Sequence, residues 1–376
     1  MRRTLKGMTW SHPRGYDPMV ATSRVWKEKT GTEITWDKRS LQDFESFPVE
    51  ELARQYDFIV IDHPHVGQIT KEQCLLPLDV PGRDAERAEM SAHSVGGSYL
   101  SYQWNSRQWA FPIDAAAQVQ AFRPDLLAAP VRNWNEVIEL AQAGRVILPM
   151  RPPHGLMSFF TLAANIGTPC ATTGPGPLIA PEVGAQVIAL LRAVTDHIDP
   201  TQFEMDPIAA SEAMAQPDSP YAIMPLGYGY LSYALQDFRP RRLKFSDIPS
   251  AGENGAVGSA VGGTGIAVSA FTKHPEAAID YAYWVASAEV QKSIYAQAGG
   301  QPGHGIAWDD EAVNAPVDNF YRDTRHTLEH GYIRPRHDGY MAFQDAASQR
   351  LNVGLKTREP AEKIVADLNT LFAESF

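Results

Sequence analysis

Four short groups of polar residues, each at the end of an apolar run, hold the side chains best suited to chemistry. Ser11-His12-Pro13-Arg14-Gly15 follows the run from Leu5 to Trp10, and Asp62-His63-Pro64-His65 follows Phe58-Ile59-Val60-Ile61. Further along, Arg151 and His154 follow Val146-Ile147-Leu148, and Gly227-Tyr228-Gly229-Tyr230 follows Tyr221-Ala222-Ile223-Met224. Imidazoles change charge near neutrality, so His12, His63 and His65, with the carboxylate of Asp62, have the parts for general acid–base work. The guanidinium groups of Arg14 and Arg151 offer a planar fork matched to a carboxylate or phosphate. Trp10 and Trp36, close to strand ends, suit stacking on a ring. Each of these residues also has a plainer role. His12 and His63 precede prolines and fit turns, Asp62 fits a turn cap, and Trp10, Trp36, Tyr228 and Tyr230 fit a core.

A metal centre is not expected. His63-Pro64-His65 brings two imidazoles close in sequence, but the proline makes such a pair diverge and no third ligand is set by spacing. Cys74 and Cys170 stand far apart and outside any C-x-x-C pair, which fits two buried thiols. No G-x-S-x-G, G-x-x-x-x-G-K-[ST] or H-E-x-x-H motif occurs, and Gly263-Thr264-Gly265 lacks the third glycine of a dinucleotide fingerprint.

The elements that must position these groups are those of an α/β protein. Short apolar runs bounded by turn residues read as strands buried on both faces: Leu5 to Trp10, Thr32 to Trp36 and Phe58 to Ile61. Between the first two, Asp17 to Lys29 has a helix pattern that stops at Thr30-Gly31. Strand, helix, strand, helix, strand predicts an open sheet, and ligands of such sheets sit outside the carboxyl ends of the strands. Later, Asn133 with Glu136 reads as a helix start, Val146-Ile147-Leu148 and Tyr221 to Met224 as strands, Ser158 to Asn165 as a helix, and Ala171 to Pro181 as a loop.

With 376 residues, two domains are the natural expectation. A net charge of −11 with scattered Lys and Arg excludes nucleic acid and an anionic membrane surface as main partners. No run approaches the roughly 18 apolar residues of a membrane span, so membrane insertion is not expected. Met1-Arg2-Arg3 is not followed by an apolar leader segment. The expected compartment is therefore the cytoplasm for the chain as it stands, and the periplasm if a leader was removed.

Three segments carry a resemblance to a known family. Gly262 to Pro302 (GGTGIAVSAFTKHPEAAIDYAYWVASAEVQKSIYAQAGGQP) resembles the extracellular solute-binding protein family 1, the type II, maltose-binding-protein-like receptors of ABC importers. Trp109 to Leu127 (WAFPIDAAAQVQAFRPDLL) is similar to that family's first crossing between lobes, and Asn133-Trp134-Asn135-Glu136-Val137 to its Trp-Asp-Glu-Leu helix start. The resemblance implies the type II periplasmic-binding-protein fold: two α/β lobes, each an open mixed sheet flanked by helices, with a ligand held in a cleft by hinge closure. It implies lobe one from residues 1–112 plus 264–314 and lobe two from 113–263 plus 315–376, with crossings near 112–115, 262–265 and 312–320. By their positions at strand ends and beside the crossing, Trp10, His12, Arg14, Gly15, Trp36, Asp62, His63, His65 and Asp114 are the cleft candidates from lobe one, where the family's loops line the cleft. Arg151, His154, Gly227, Tyr228 and Tyr230 come from lobe two, with Gln301 and His304 from the loop after Gly300.

The resemblance implies a monomeric binder of one small solute, without cofactor or metal, partnered by an ABC permease or acting as a related sensor. The His- and Arg-rich candidate cleft predicts a polar, anionic ligand: a sugar acid, a carboxylate or a phosphorylated metabolite. The alternative is a cytoplasmic enzyme on the same clamp, an isomerase, lyase or dehydratase, in which His12, His63, His65 or Asp62 moves a proton.

Overall fold

The computed structural model describes residues 3–46 and 48–376; the charged start Met1-Arg2 and Phe47 lie outside the described residues. The strands in chain order are β1 (Thr4–Trp10), β2 (Glu33–Arg39), β3 (Phe58–Ile61), β4 (Leu75–Leu76), β5 (Gln103–Trp104), β6 (Arg107–Gln108), β7 (Phe111–Asp114), β8 (Gln118–Phe122), β9 (Ile223–Tyr228), β10 (Lys244–Ser246) and β11 (Thr264–Ser269). The chain divides into two compact units. The first takes the chain up to Ala116, Gly262–Ala315 and Arg336–Asp338, and the second takes Ala117–Val261, Pro316–Pro335 and Gly339–Phe376. Among the described residues no helix is long and apolar enough to cross a membrane.

The first unit is built on a mixed sheet in the order β2-β1-β3-β11-β4, with β7 also paired to β11. β1 runs parallel to β2 and β3, whereas β11 runs antiparallel to β3, β4 and β7. The apolar run of β3 is buried along its whole length, as a strand covered on both faces requires. The helix Pro13–Thr30 packs its Met19 and Trp26 into the same core as Tyr281 and Val285 of the helix Pro275–Val285. The helix Val66–Glu72 approaches Arg336 so closely that a Cβ on Gly67 would lie 2.0 Å from the Arg336 carbonyl oxygen. Gly67→Ala will therefore destabilise this unit by about 1–3 kcal/mol, because backbone rather than a flexible side chain must yield. A urea-unfolding midpoint unchanged from wild type would rule that out.

The second unit carries the antiparallel sheet β10-β8-β9 and an apolar core including Phe159, Leu191, Leu351 and Leu368. These side chains come from the helices His154–Asn165, Pro181–Thr195, Tyr340–Lys356 and Ala361–Ala373. Asn133 caps the helix Trp134–Gln142 through its side chain, accepting the Glu136 N–H at 3.1 Å.

Several boundaries differ from the sequence reading. Proline at the first helical position lets the first helix begin at Pro13, so Arg14 and Gly15 are helical and not loop. β2 continues through Arg39 because its pairing with β1 runs on to Trp10↔Arg39. The run Val146-Ile147-Leu148 makes one bridge, Val146↔Ile223, and no regular strand. Its polar backbone is shared between Ile223, whose carbonyl accepts the Ile147 N–H at 3.0 Å, and the Gln202 side chain: Leu148 N–H donates to Gln202 Oε1 at 2.7 Å, and Gln202 Nε2 donates to the Val146 carbonyl at 3.3 Å. Satisfied in that way, the segment needs no ladder. β9 begins at Ile223 and extends to Tyr228, so Gly227 and Tyr228 are strand residues.

Candidate functional site

At the carboxyl end of β1 the chain turns directly into a helix. His12 caps that helix: its Nδ1 accepts the Arg14 N–H at 3.1 Å, and its carbonyl accepts from Gly15 and Tyr16. Gly15 lies under the indole of Trp10, where a Cβ would come within 2.4 Å of the ring. Arg14 and Asp114, 100 residues apart in sequence, form a buried fork: Nε to Oδ2 at 2.8 Å and Nη2 to Oδ1 at 2.5 Å. Burial pushes the Asp114 carboxyl upward, and the Arg14 guanidinium pulls it back down. The sequence reading offered both residues to a ligand; the carboxylate that the Arg14 fork grips is Asp114.

At the end of β3, Asp62 accepts the His63 N–H at 2.9 Å and stands 3.3 Å from His63 Nδ1. His63, Pro64 and His65 form a buried single turn that leads into the helix Val66–Glu72. The His63 ring meets Tyr102 edge to face at 6.3 Å, and the Tyr102 hydroxyl donates to the Ile61 carbonyl. Gln301 is buried beside β7, exchanging hydrogen bonds with the backbone of Ala115. His304 turns its Nε2 toward Glu89 at 3.0 Å.

Trp36 takes the core role that the sequence also offered it. Its Nε1–H donates to Ser23 at 2.7 Å, Phe58 stacks on its ring, and Gly7 abuts it. The ring is buried in the same cluster as Trp10 and Phe58. Trp10 is also buried, with Phe44 at 5.3 Å, but its Nε1–H has no hydrogen-bond partner among the described residues.

Two further polar groups at this end of the sheet were missed from sequence. The Nε and Nη1 of Arg39, at the carboxyl end of β2, are buried without a hydrogen-bond acceptor among the described residues. Burial brings the Arg39 pKa down to about 10, with Asp43 and Tyr56 acting in the other direction. Thr264, the first residue of β11 and paired with Asp114, likewise has a buried Oγ1 without a partner. Arg39 stands in Asp37-Lys38-Arg39, the polar run that follows Thr32 to Trp36, and was not singled out from it. Thr264 had no signal beyond its glycine neighbours.

In the second unit His154 opens the helix His154–Asn165 and is 2% exposed. Its N–H donates to the Arg151 carbonyl at 2.7 Å, and its ring meets Tyr228 edge to face at 6.1 Å. Burial first, then the positive charges of Arg334 and Arg151, press its pKa down to about 4 against the pull of Asp206, so the ring is neutral at pH 7. Tyr230 is buried beside the turn Leu231–Ala234. A Cβ on Gly227 would meet Met224 Sδ at 2.6 Å. Arg334 is the residue that sequence reasoning missed here. It is 3% exposed, donates from Nε to the Val261 carbonyl at 3.2 Å, and from Nη1 to Gln344 Oε1 at 3.0 Å. It lies in Ile333-Arg334-Pro335-Arg336, where no periodicity marks a buried position.

Each unit thus carries a polar group containing arginine and imidazole, one at the ends of β1, β2 and β3 and one at the start of the helix His154–Asn165. The family model for bacterial extracellular solute-binding protein matches residues 27–310, and the chain belongs to that family. Solved structures with the same fold include an ABC transporter solute-binding protein from Agrobacterium radiobacter K84 in complex with ribitol. It aligns with a TM-score of 0.81 at 19% identity, over 100% of this chain and 99% of that one. Maltose-bound MalE3 of T. maritima aligns at 0.84 with 14% identity over 99% and 100%. A solute-binding protein from Thermotoga lettingae TMO bound with alpha-D-tagatose aligns at 0.83 with 13% identity over 99% of each chain. The fold is thus the two-lobed, mixed α/β fold of these proteins.

Proposed function

We propose that this chain binds one small hydroxylated solute bearing an anionic group, as the solute-receiving component of an ABC importer or of a related sensor. The observation that carries the anionic part is Arg39, whose Nε and Nη1 are buried without an acceptor among the described residues. Donors buried in that state carry a desolvation cost, and a carboxylate or phosphate meets them in matched geometry. Trp10 Nε1–H and Thr264 Oγ1 add polar groups without protein partners at the same sheet end. In the second unit Arg151 and Arg334 contribute positive charge beside a neutral His154. The neutral sugars and polyols of the structural neighbours support the hydroxylated part of this reading: ribitol, maltose and tagatose.

Calorimetric titration with matched pairs tests it, such as ribitol against ribonate and tagatose against tagaturonate. The acid is expected to bind more tightly than its neutral partner. Arg39→Met should weaken the acid by about tenfold or more, as loss of a charged hydrogen bond does, and leave the neutral compound nearly unchanged. Equal affinities within each pair, or an Arg39→Met variant that weakens both alike, would sink the anionic reading. Following the bound solute by NMR for hours tests the enzymatic alternative: an unchanged spectrum is expected.

A further inference from the structure

We infer that the first unit holds a divalent-cation site of the zinc class, made by Glu89, His93 and His304. Glu89 and His93 are four residues apart on the helix Asp84–His93 and so lie on one face. His304 comes from a distant segment, and the three residues place one donor atom each within 4.8 Å of one another. Glu89 Oε1 is 3.0 Å from His304 Nε2 and 3.3 Å from His93 Nδ1. Ligands at zinc's usual bond lengths of about 2.0–2.1 Å sit about 3.3 Å apart at the corners of a tetrahedron. Two of the three edges therefore already have the required length. The rings of His93 and His304 are near parallel, 5.7 Å between centroids and 16° apart.

The scaffold is fixed independently of any ion. Ser94 bridges to His304, and the Val95 N–H donates to the Gly303 carbonyl at 3.1 Å, which ties the end of the helix to the 303–304 segment. His304 is buried while Glu89 and His93 are open to solvent, so an ion has a route in. Two imidazoles and one carboxylate suit zinc and its first-row neighbours and not magnesium or calcium, which favour oxygen shells.

Without an ion, both imidazoles bond to Glu89, His304 to its carboxylate and His93 to its backbone carbonyl. His304 Nδ1 accepts the Ile306 N–H at 3.3 Å, so the neutral ring carries its proton on Nε2, toward Glu89. His93 Nδ1 is 3.0 Å from the Glu89 carbonyl, to which it donates. Ligation moves each ring proton to the other nitrogen. For His93 that nitrogen belongs to a half-exposed ring and water takes up the change. For His304 the move gives up the long contact from Ile306, which tempers affinity without removing a ligand.

Zinc titration of the full chain by calorimetry, with magnesium as the control ion, tests the site, and Co²⁺ absorption reports its coordination number. One zinc per chain, a zinc-dependent rise in melting temperature and intense four- or five-coordinate Co²⁺ bands are expected. Glu89→Gln and His93→Ala lie on an exposed helix face and leave the circular dichroism unchanged. Each should lower zinc affinity by at least about tenfold. Absence of stoichiometric zinc binding overturns the assignment. So does zinc binding that neither variant alters, which would put the ion elsewhere, for example at the surface pair His326–His330. His93→Ala leaves the Glu89–His304 contact and Arg39 in place, so the solute titrations on that variant stand or fall separately.

Discussion

Arg14→Met is expected to destabilise the first unit by about 3–5 kcal/mol, the cost of leaving one member of a buried ion pair without its partner. Asp114 is 1% exposed, and its two oxygens accept from Arg14 Nε and Nη2 at 2.8 and 2.5 Å. Removing the guanidinium leaves a carboxylate in a site whose burial already opposes its charge. The protein then either buries the anion or protonates it, and each choice costs stability. Asp114→Leu alone should be comparably harmful, because it strands the cation. The double variant Arg14→Met with Asp114→Leu should lose less than either single change, since apolar groups of similar size replace a buried pair at little cost. Urea unfolding followed by tryptophan fluorescence measures this, with Trp10 centred 5.9 Å from the guanidinium as a local reporter. A single-variant loss below about 1 kcal/mol, the value of an exposed pair, would contradict the buried-pair account.

The second large effect concerns pH. In the unfolded chain His154 takes up a proton near its ordinary pKa of 6.5, whereas in the folded second unit it does so only at about 4. Between those values the unfolded state holds the extra proton, so the stability of the folded state rises with pH across the interval. The contribution is complete above pH 6.5 and is lost as pH falls toward 4. At 1.36 kcal/mol per pKa unit it amounts to about 3 kcal/mol. Calorimetric melting of the wild type and of His154→Gln across this range should show a steeper acid loss for the wild type. Parallel curves would mean that His154 is not held neutral by burial.

Much of this protein was legible before its fold. The apolar runs of β1 and β3, the glycine stop after the first helix, and the Asn133 cap are local signals, and local backbone chemistry settles them. The polar groups after β1 and β3 were located because an open sheet presents the residues just beyond its strand ends. The errors were local too. Trp36 reads as a strand-end aromatic, yet β2 runs three residues further and Ser23, Phe58 and Gly7 pack on the ring. Val146 to Leu148 reads as a strand, yet two glutamine contacts and a single bridge satisfy it.

Spacing and type along the chain determined which residues are strands, caps and candidate ligands, because those depend on neighbours within a few positions. Only the tertiary structure decided which charges meet. It paired Arg14 with Asp114 across 100 residues and left Arg39 Nε and Nη1 without an acceptor among the described residues. It also brought His304 to Glu89 across 215 residues. The energy of a charge depends on its burial and its partner, and neither is written in the local sequence.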